Sequence, residues 1–270
     1  MRPENSHSPT FSWREQGEGP VAVFLHGLGG SRIAWEPQLR ELSKTRRVVA
    51  WDTPGYGDST PISEYTFSAY ANAARDFIDA VSPDESVDLV GMSFGGMIAQ
   101  YTAHAYPDRI RSLTLMCTSP KFGLDGTDPD EWRAARLSGL ENIDAPIDMA
   151  DALLKALIAP ANLAVLPEAR TAMERVRKQG LLDSLSTIVH HDSRSLLPNI
   201  AIPTLVLVGE LDDETPPAYS QAIADLMPNA QFEVIPHARH ILNLEAEVEV
   251  NAAILQHWNA QANESNKENL

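Results

Sequence analysis

The chain is 270 residues long, enough to bury a sizeable core, which suits one large α/β domain or one domain carrying an insertion. Its 21 basic and 37 acidic side chains leave a formal charge of −16, a surface that repels nucleic-acid phosphates and anionic lipid headgroups, so neither nucleic acid nor membrane is expected as a partner. A single cysteine, Cys117, excludes an intrachain disulfide, and without a signal-peptide-like or membrane-length apolar run the chain reads as cytoplasmic.

Residues 1–9 are polar and proline-bearing and are expected to be disordered, and Thr10 to Arg14 alternates as an edge strand does. After the Gly17-Glu18-Gly19-Pro20 turn, Val21 to Leu25 is an unbroken apolar run, the pattern of a strand covered on both faces. It empties into the glycine-rich loop His26-Gly27-Leu28-Gly29-Gly30-Ser31, which can turn backbone N–H groups towards a developing negative charge. The Lys-Ser/Thr ending of a phosphate-binding loop is absent. A helix is expected over Ile33–Leu42 and a strand over Arg47–Trp51. The turn Asp52 to Ser59 follows, then a helix over Tyr65–Val81.

Val87–Val90 reads as a strand and Met97–Tyr106 as a helix stopped by Pro107. Between them Gly91-Met92-Ser93-Phe94-Gly95 has the spacing Gly-x-Ser-x-Gly. A serine in so tight a strand-to-helix turn is pushed out of the sheet, and glycines two before and two after it remove the side chains that would collide. Ser93 is the candidate nucleophile; the plainer alternative is a serine whose hydroxyl caps the following helix. Arg109–Cys117 closes this half as another strand, with Cys117 read as a small buried hydrophobe.

From 120 to 195 the alternation of strand and helix gives way to helical signals. Asp128, Pro129 and Glu131 form a capping-box start, Ala150, Leu153, Leu154, Leu157 and Ile158 make an apolar stripe, and Pro167–Gln179 is expected to end at Gly180 as a C-terminal cap. Such an insertion suggests a helical cap over the sheet. Arg133 and Arg136 could supply a local cationic patch for an anionic substrate, with a solvated helix face the favoured account of both. Alternation resumes with the strand Pro203–Val208, a helix Ala218–Met227, the strand Ala230–Ile235 and a closing helix Leu244–Trp258. The expected organisation is a core of 10–119 and 196–260, a cap of 120–195 and a polar tail of 261–270.

Ser93, Asp212 and His240 each stand in a loop that follows a strand, and in open parallel sheets those loops gather at the carboxyl edge. Their order in the chain is that of the α/β-hydrolase motif. The chain resembles the α/β-hydrolase superfamily over nearly its full length outside the cap. The resemblance rests on His26-Gly27 with Trp35, Asp52 with Gly55, Gly57 and Ser59, Gly91 to Gly96, Gly209 with Asp212 and Pro216, and Ala238-Arg239-His240. Within the superfamily it is most similar to 3-oxoadipate enol-lactonase-like small esterases, through Gly209-x-x-Asp212-x-x-Thr215-Pro216-Pro217 and Asn243-x-Glu245. Dehalogenases and epoxide hydrolases of this fold carry an aspartate where this chain has Ser93.

The resemblance implies a mostly parallel sheet with helices on both faces and a cofactor-free serine hydrolase acting on a small ester or lactone. Ser93 would be the nucleophile, His240 the base and Asp212 its carboxylate, with the backbone N–H groups of Leu28 and Phe94 as the oxyanion hole. Met92, Trp132 and Met149 are candidate pocket residues. Rivals are His237 for the base and Asp213 for the carboxylate. His26 is expected to hold its own loop and His104 to be a packed or surface residue. His190-His191-Asp192 lacks the spacing of a metal site. Carbon–carbon bond hydrolysis of a diketone by the same three residues, or a small-molecule receptor that retains them, are the alternative functions. Oligomeric state is left open.

Overall fold

The computed structural model describes residues 4–8, 10–141 and 143–268. In chain order the elements are β1 (Glu4–His7), β2 (Ser12–Gln16), β3 (Val21–Leu25), α1 (Glu36–Leu42), β4 (Arg47–Trp51), α2 (Phe67–Val81), β5 (Val87–Met92), α3 (Phe94–Ala105) and β6 (Ile110–Met116). Four helices follow without a strand: α4 (Pro129–Glu141), α5 (Ala150–Leu157), α6 (Leu166–Met173) and α7 (Lys178–Ile188). The chain closes with β7 (Thr204–Gly209), α8 (Pro217–Leu226), β8 (Ala230–Ile235), α9 (Leu242–Glu245) and α10 (Glu247–Glu268). No described helix is long and apolar enough to cross a membrane.

The eight strands form one sheet in the order β1-β2-β4-β3-β5-β6-β7-β8, antiparallel across β1-β2 and β2-β4 and parallel from β4 to β8. The chain runs from β3 outward to β4, crosses back over β3 to β5, and then proceeds in the opposite direction. The loops after β3 and β5 therefore diverge at the carboxyl edge and leave a crevice between them, the usual place for a ligand in a sheet of this kind.

Both faces of the sheet are covered, which is why β3 is apolar at every position rather than at every other one. Along β3, Val21, Val23 and Leu25 pack with Phe77 and Ile98 of α2 and α3. Ala22 and Phe24, on the other face, pack with Leu39 of α1 and Ile254 and Trp258 of α10. A third cluster lies among the cap helices and joins Leu154, Met173 and Leu185 to Tyr56 and Leu244 of the core. Polar contacts stitch the cap down: Tyr56 Oη donates to Ser184 Oγ at 3.1 Å, Ser31 Oγ to Ala172 O at 2.7 Å, and the backbone N–H of His240 to Leu157 O at 3.0 Å.

Three expectations need correction. Glu4–His7, expected to be disordered, is an edge strand; residues 1–3 and 9 lie outside the described residues. The outer edge of β2 offers a row of backbone donors and acceptors that a polar segment can satisfy as well as an apolar one, and Ser6 Oγ adds a bond to Glu15 at 2.9 Å. Gly180 is not a helix end but lies inside α7, where it lets the helix pass close to the core: a Cβ there would come within 2.5 Å of Gly55 O. The polar stretch 261–268 continues α10, since the i to i−4 bonds of a helix do not require an apolar face.

Candidate active site

β5 delivers Ser93 into a left-handed backbone conformation, φ 53° and ψ −118°, at the start of α3. Non-glycine residues rarely occupy that region, and here its surroundings impose it. The Ser93 N–H donates to Met116 O at 2.9 Å, and its carbonyl accepts from Thr118 Oγ1 at 2.8 Å and from Met97 N at 3.0 Å. The flanking glycines have no room for a side chain: a Cβ on Gly91 would come within 2.4 Å of Gly95 O, and one on Gly95 within 2.2 Å of Leu25 O. The Ser93 side chain does not cap α3. Its Oγ lies 3.0 Å from His240 Nε2 instead.

His240 Nδ1 is 2.9 Å from Asp212 Oδ2. The loop after β7 shapes the carboxylate: Oδ1 accepts the N–H groups of Glu214 at 3.0 Å and Thr215 at 2.9 Å, and Oδ2 also accepts Thr215 Oγ1 at 3.0 Å. With Oδ2 accepting from Nδ1–H, Nε2 is the unprotonated nitrogen and faces the serine hydroxyl. The rivals stand elsewhere. His237 is 88% exposed, and Asp213, 63% exposed, pairs with Arg239 at 3.1 Å.

Leu28 and Phe94 flank Ser93 from two directions. The loop after β3 runs so close that a Cβ on Gly27 would sit 3.2 Å from Ser93 Cβ. Phe94 is the first residue of α3, so its N–H has no acceptor within the helix and adds to the positive end of the helix dipole. Its ring is buried against Phe67 and Tyr70 and takes no part in the pocket. His26 bridges its own loop to the one after β4: Thr53 N–H donates to Nε2 at 3.0 Å, so Nδ1 carries the proton given to Gly27 O at 2.9 Å. Burial lowers its pKa and keeps it neutral.

Above Ser93 and His240 is a cavity of about 130 Å³. Met92, Trp132 and Met149 all line it. Eight further lining residues could not be placed from sequence: Leu140, Leu153, Leu157, Met173, Leu181, Leu185 and Ile188 of the cap, together with Ile241. Arg136 also lines it, contrary to its reading as a solvated residue; Arg133 is exposed. Trp132, Arg136 and Leu140 recur every four residues and so share one face of α4, a spacing that was available to sequence reasoning. The Arg136 guanidinium lies 5.1 Å from the Trp132 ring centroid and bonds both oxygens of Glu214, at 2.9 and 3.1 Å.

A model of the alpha/beta hydrolase family matches residues 22–253. The chain belongs to the alpha/beta hydrolase family. This hydrolase is 30% identical over 255 residues to a pimeloyl-[acyl-carrier protein] methyl ester esterase from Chromobacterium violaceum, an alignment that spans 91% of this chain and 97% of that one. Among solved structures it is similar to a malate-bound thermophilic esterase from Thermogutta terrifontis, with a TM-score of 0.83 and 26% identity over 97% of this chain and 99% of the other. It also shares the fold of the enol-lactonase from Burkholderia xenovorans LB400, with a TM-score of 0.84 and 24% identity over 95% and 100% of the two chains.

The electrostatics of this hydrolase's site follow from burial and charge together. Burial pulls the pKa of His240 down, but the charge and hydrogen bond of Asp212 outweigh it and leave the imidazole above its ordinary value of 6.5. For Asp212 burial pushes up, and His240 with the Thr215 donors outweighs it, so the carboxyl stays below its ordinary 3.8. Cys117 lies beside them, with its sulfur within 4.8 Å of ligand-type atoms of both. Burial first, then the Asp212 charge, pushes its thiol well up, so it stays protonated and is no competing nucleophile at neutral pH. His191, packed against Phe67 and Tyr101, bonds Ser119 O through Nε2 at 2.7 Å, and burial brings its pKa down to about 4.

Proposed function

We propose that this protein is a cofactor-independent serine hydrolase that cleaves a small carboxylic ester or lactone through an acyl-enzyme. The observation that carries this reading is the chain of contacts from Ser93 Oγ to His240 Nε2 to Asp212, at 3.0 and 2.9 Å, below a largely apolar cavity. His240 takes the Ser93 proton as Oγ attacks the acyl carbon. It then returns that proton to the leaving alkoxide, and Asp212 stabilises the transient imidazolium. The N–H groups of Leu28 and Phe94 hold the oxyanion, each worth on the order of 100-fold in rate. Water, deprotonated by the same imidazole, adds to the acyl carbon and releases the acid and free Ser93. The pimeloyl ester esterase and the two solved esterase and lactonase structures support the choice of ester over other acyl compounds.

The test is a panel of p-nitrophenyl esters and lactones offered to wild type and Ser93→Ala. Turnover should fall at least about 10⁴-fold in the variant. Ligand binding without product in either protein would favour a receptor, and turnover that survives Ser93→Ala would refute the acyl-enzyme.

A further inference from the structure

Beside the apolar cavity, Ser93 faces a second chamber of about 80 Å³. Ser93, Trp132, Ile188 and Glu214 border both spaces, so an ester carbonyl held at Ser93 has room for one arm on each side of that partition. The two sides differ in chemistry. The cap side of the first is mostly Leu, Met and Ile, with Trp132 and Arg136 at the partition, and it runs on past Leu157 and Met173 into a further apolar lobe against Ala34, Ala169 and Ala172. The second is mixed: Met97, Phe122, Trp132 and Ile188 face Ser119, Lys121, Asp125, Thr127, Tyr219 and Glu214.

The charges of the second chamber select among occupants. An anionic arm would meet the Asp125 carboxylate, with Glu214 already paired to Arg136, and the Lys121 ammonium that opposes Asp125 already acts on Asp192, whose carboxyl is held down first by Arg194 and in part by Lys121. Asp125 is kept ionised by the hydroxyl and N–H of Thr127, which donate to its Oδ1 at 2.7 and 3.0 Å. A hydrocarbon arm would cover the half-buried Lys121 and Tyr219 and return no hydrogen bond. A hydroxyl both donates and accepts. Several on one arm can give to the Asp125 carboxylate and receive from Lys121, beside Tyr219, whose phenol accepts from Asp125 N at 3.0 Å, bonds the Asp125 carboxylate and is kept protonated by burial, its pKa pushed up to about 12.

We propose that this chamber is a subsite for a neutral, multiply hydroxylated arm of the ester, while a hydrocarbon arm occupies the apolar cavity. The proposal rests on the hydrolase reading above and adds the substrate class to it. The experiment measures kcat/KM for glyceryl octanoate, octyl glycerate, propyl octanoate and mono-octyl succinate with wild type, Lys121→Met and Asp125→Ala. One of the first two esters should exceed propyl octanoate by about tenfold, which is what one or two hydrogen bonds supply. Which one it is tells whether the hydroxyls belong to the alcohol or to the acid. Each substitution should bring that ratio down several-fold, a readout that general loss of folded protein does not move. Propyl octanoate or the anionic succinate as the best substrate, or a ratio that neither substitution changes, would overturn the subsite. No turnover of any ester by wild type would remove the hydrolase reading and the subsite with it.

Discussion

Asp212→Asn tests the relay without changing its shape. In the variant the amide oxygen is held at the Oδ1 position, because the N–H groups of Glu214 and Thr215 both donate there, at 3.0 and 2.9 Å. The amide NH₂ must then take the Oδ2 position, 2.9 Å from His240 Nδ1. An NH₂ donates, so Nδ1 becomes the acceptor and the ring proton moves to Nε2. That nitrogen faces Ser93 Oγ at 3.0 Å and in this tautomer cannot receive the hydroxyl proton. The expected loss is about 10⁴-fold in kcat, or about 5.4 kcal/mol of barrier.

The assay is steady-state ester hydrolysis from acid to alkaline pH, and it gives a second readout. In wild type, kcat/KM should rise as His240 loses its proton, through a midpoint above the ordinary imidazole value of 6.5. Without the Asp212 charge, burial is left to dominate and the midpoint of the residual activity should move to lower pH. Asp213→Asn, at an exposed position, should match wild type. Asp212→Asn activity within tenfold of wild type, or the same midpoint in both proteins, would refute the reasoning.

The remaining outcomes follow from burial and charge elsewhere. His240→Ala should abolish turnover, while His237→Ala, at an 88% exposed side chain, should leave kcat/KM within about twofold, as steady-state kinetics will show; the reverse pattern would exchange their roles. Arg32→Met leaves the fully buried Asp52 with Ser12 Oγ at 2.8 Å, the backbone N–H of residue 32 at 2.9 Å and the Arg175 guanidinium at 3.7 Å, but without the 3.0 Å contact to the Arg32 guanidinium. Breaking such a pair costs about 3 kcal/mol or more and should lower Tm by roughly 6–12 °C in a thermal melt. Stability should also follow pH through the two shifted groups. The raised pKa of His240 contributes fully below the unfolded value of 6.5 and is lost as pH rises through the folded one. The lowered pKa of Asp212 contributes above 3.8 and is lost as pH falls through its folded value. Denaturation at a series of pH values measures both.

How much of this was legible before any coordinates depended on how local the cause was. The apolar runs at Val21–Leu25 and Thr204–Val208 announce buried parallel strands because both faces of the sheet are covered. Gly91 and Gly95 announce the turn at Ser93 because the collisions they avoid lie within a few residues of it or on the adjoining strand. The approach of Ser93, Asp212 and His240 to one another could be anticipated from their places after parallel strands. What stayed hidden depends on contacts between distant segments. Gly180 looks like a helix end until Gly55 O is seen 2.5 Å from where its side chain would be. Arg136 looks like a solvated residue until α4 is laid over Glu214. Glu4–His7 has no strand signal of its own and is ordered by the free edge of β2.

The central claim is that Ser93 Oγ is the atom acylated during turnover, and it is tested most directly by trapping. Incubation with diethyl p-nitrophenyl phosphate, followed by intact-mass and peptide mass spectrometry, should place one diethylphosphoryl group per chain on the peptide containing Ser93, with activity lost in step with labelling. Label on any other residue at full inactivation, or full activity in a protein quantitatively labelled at Ser93, would contradict it.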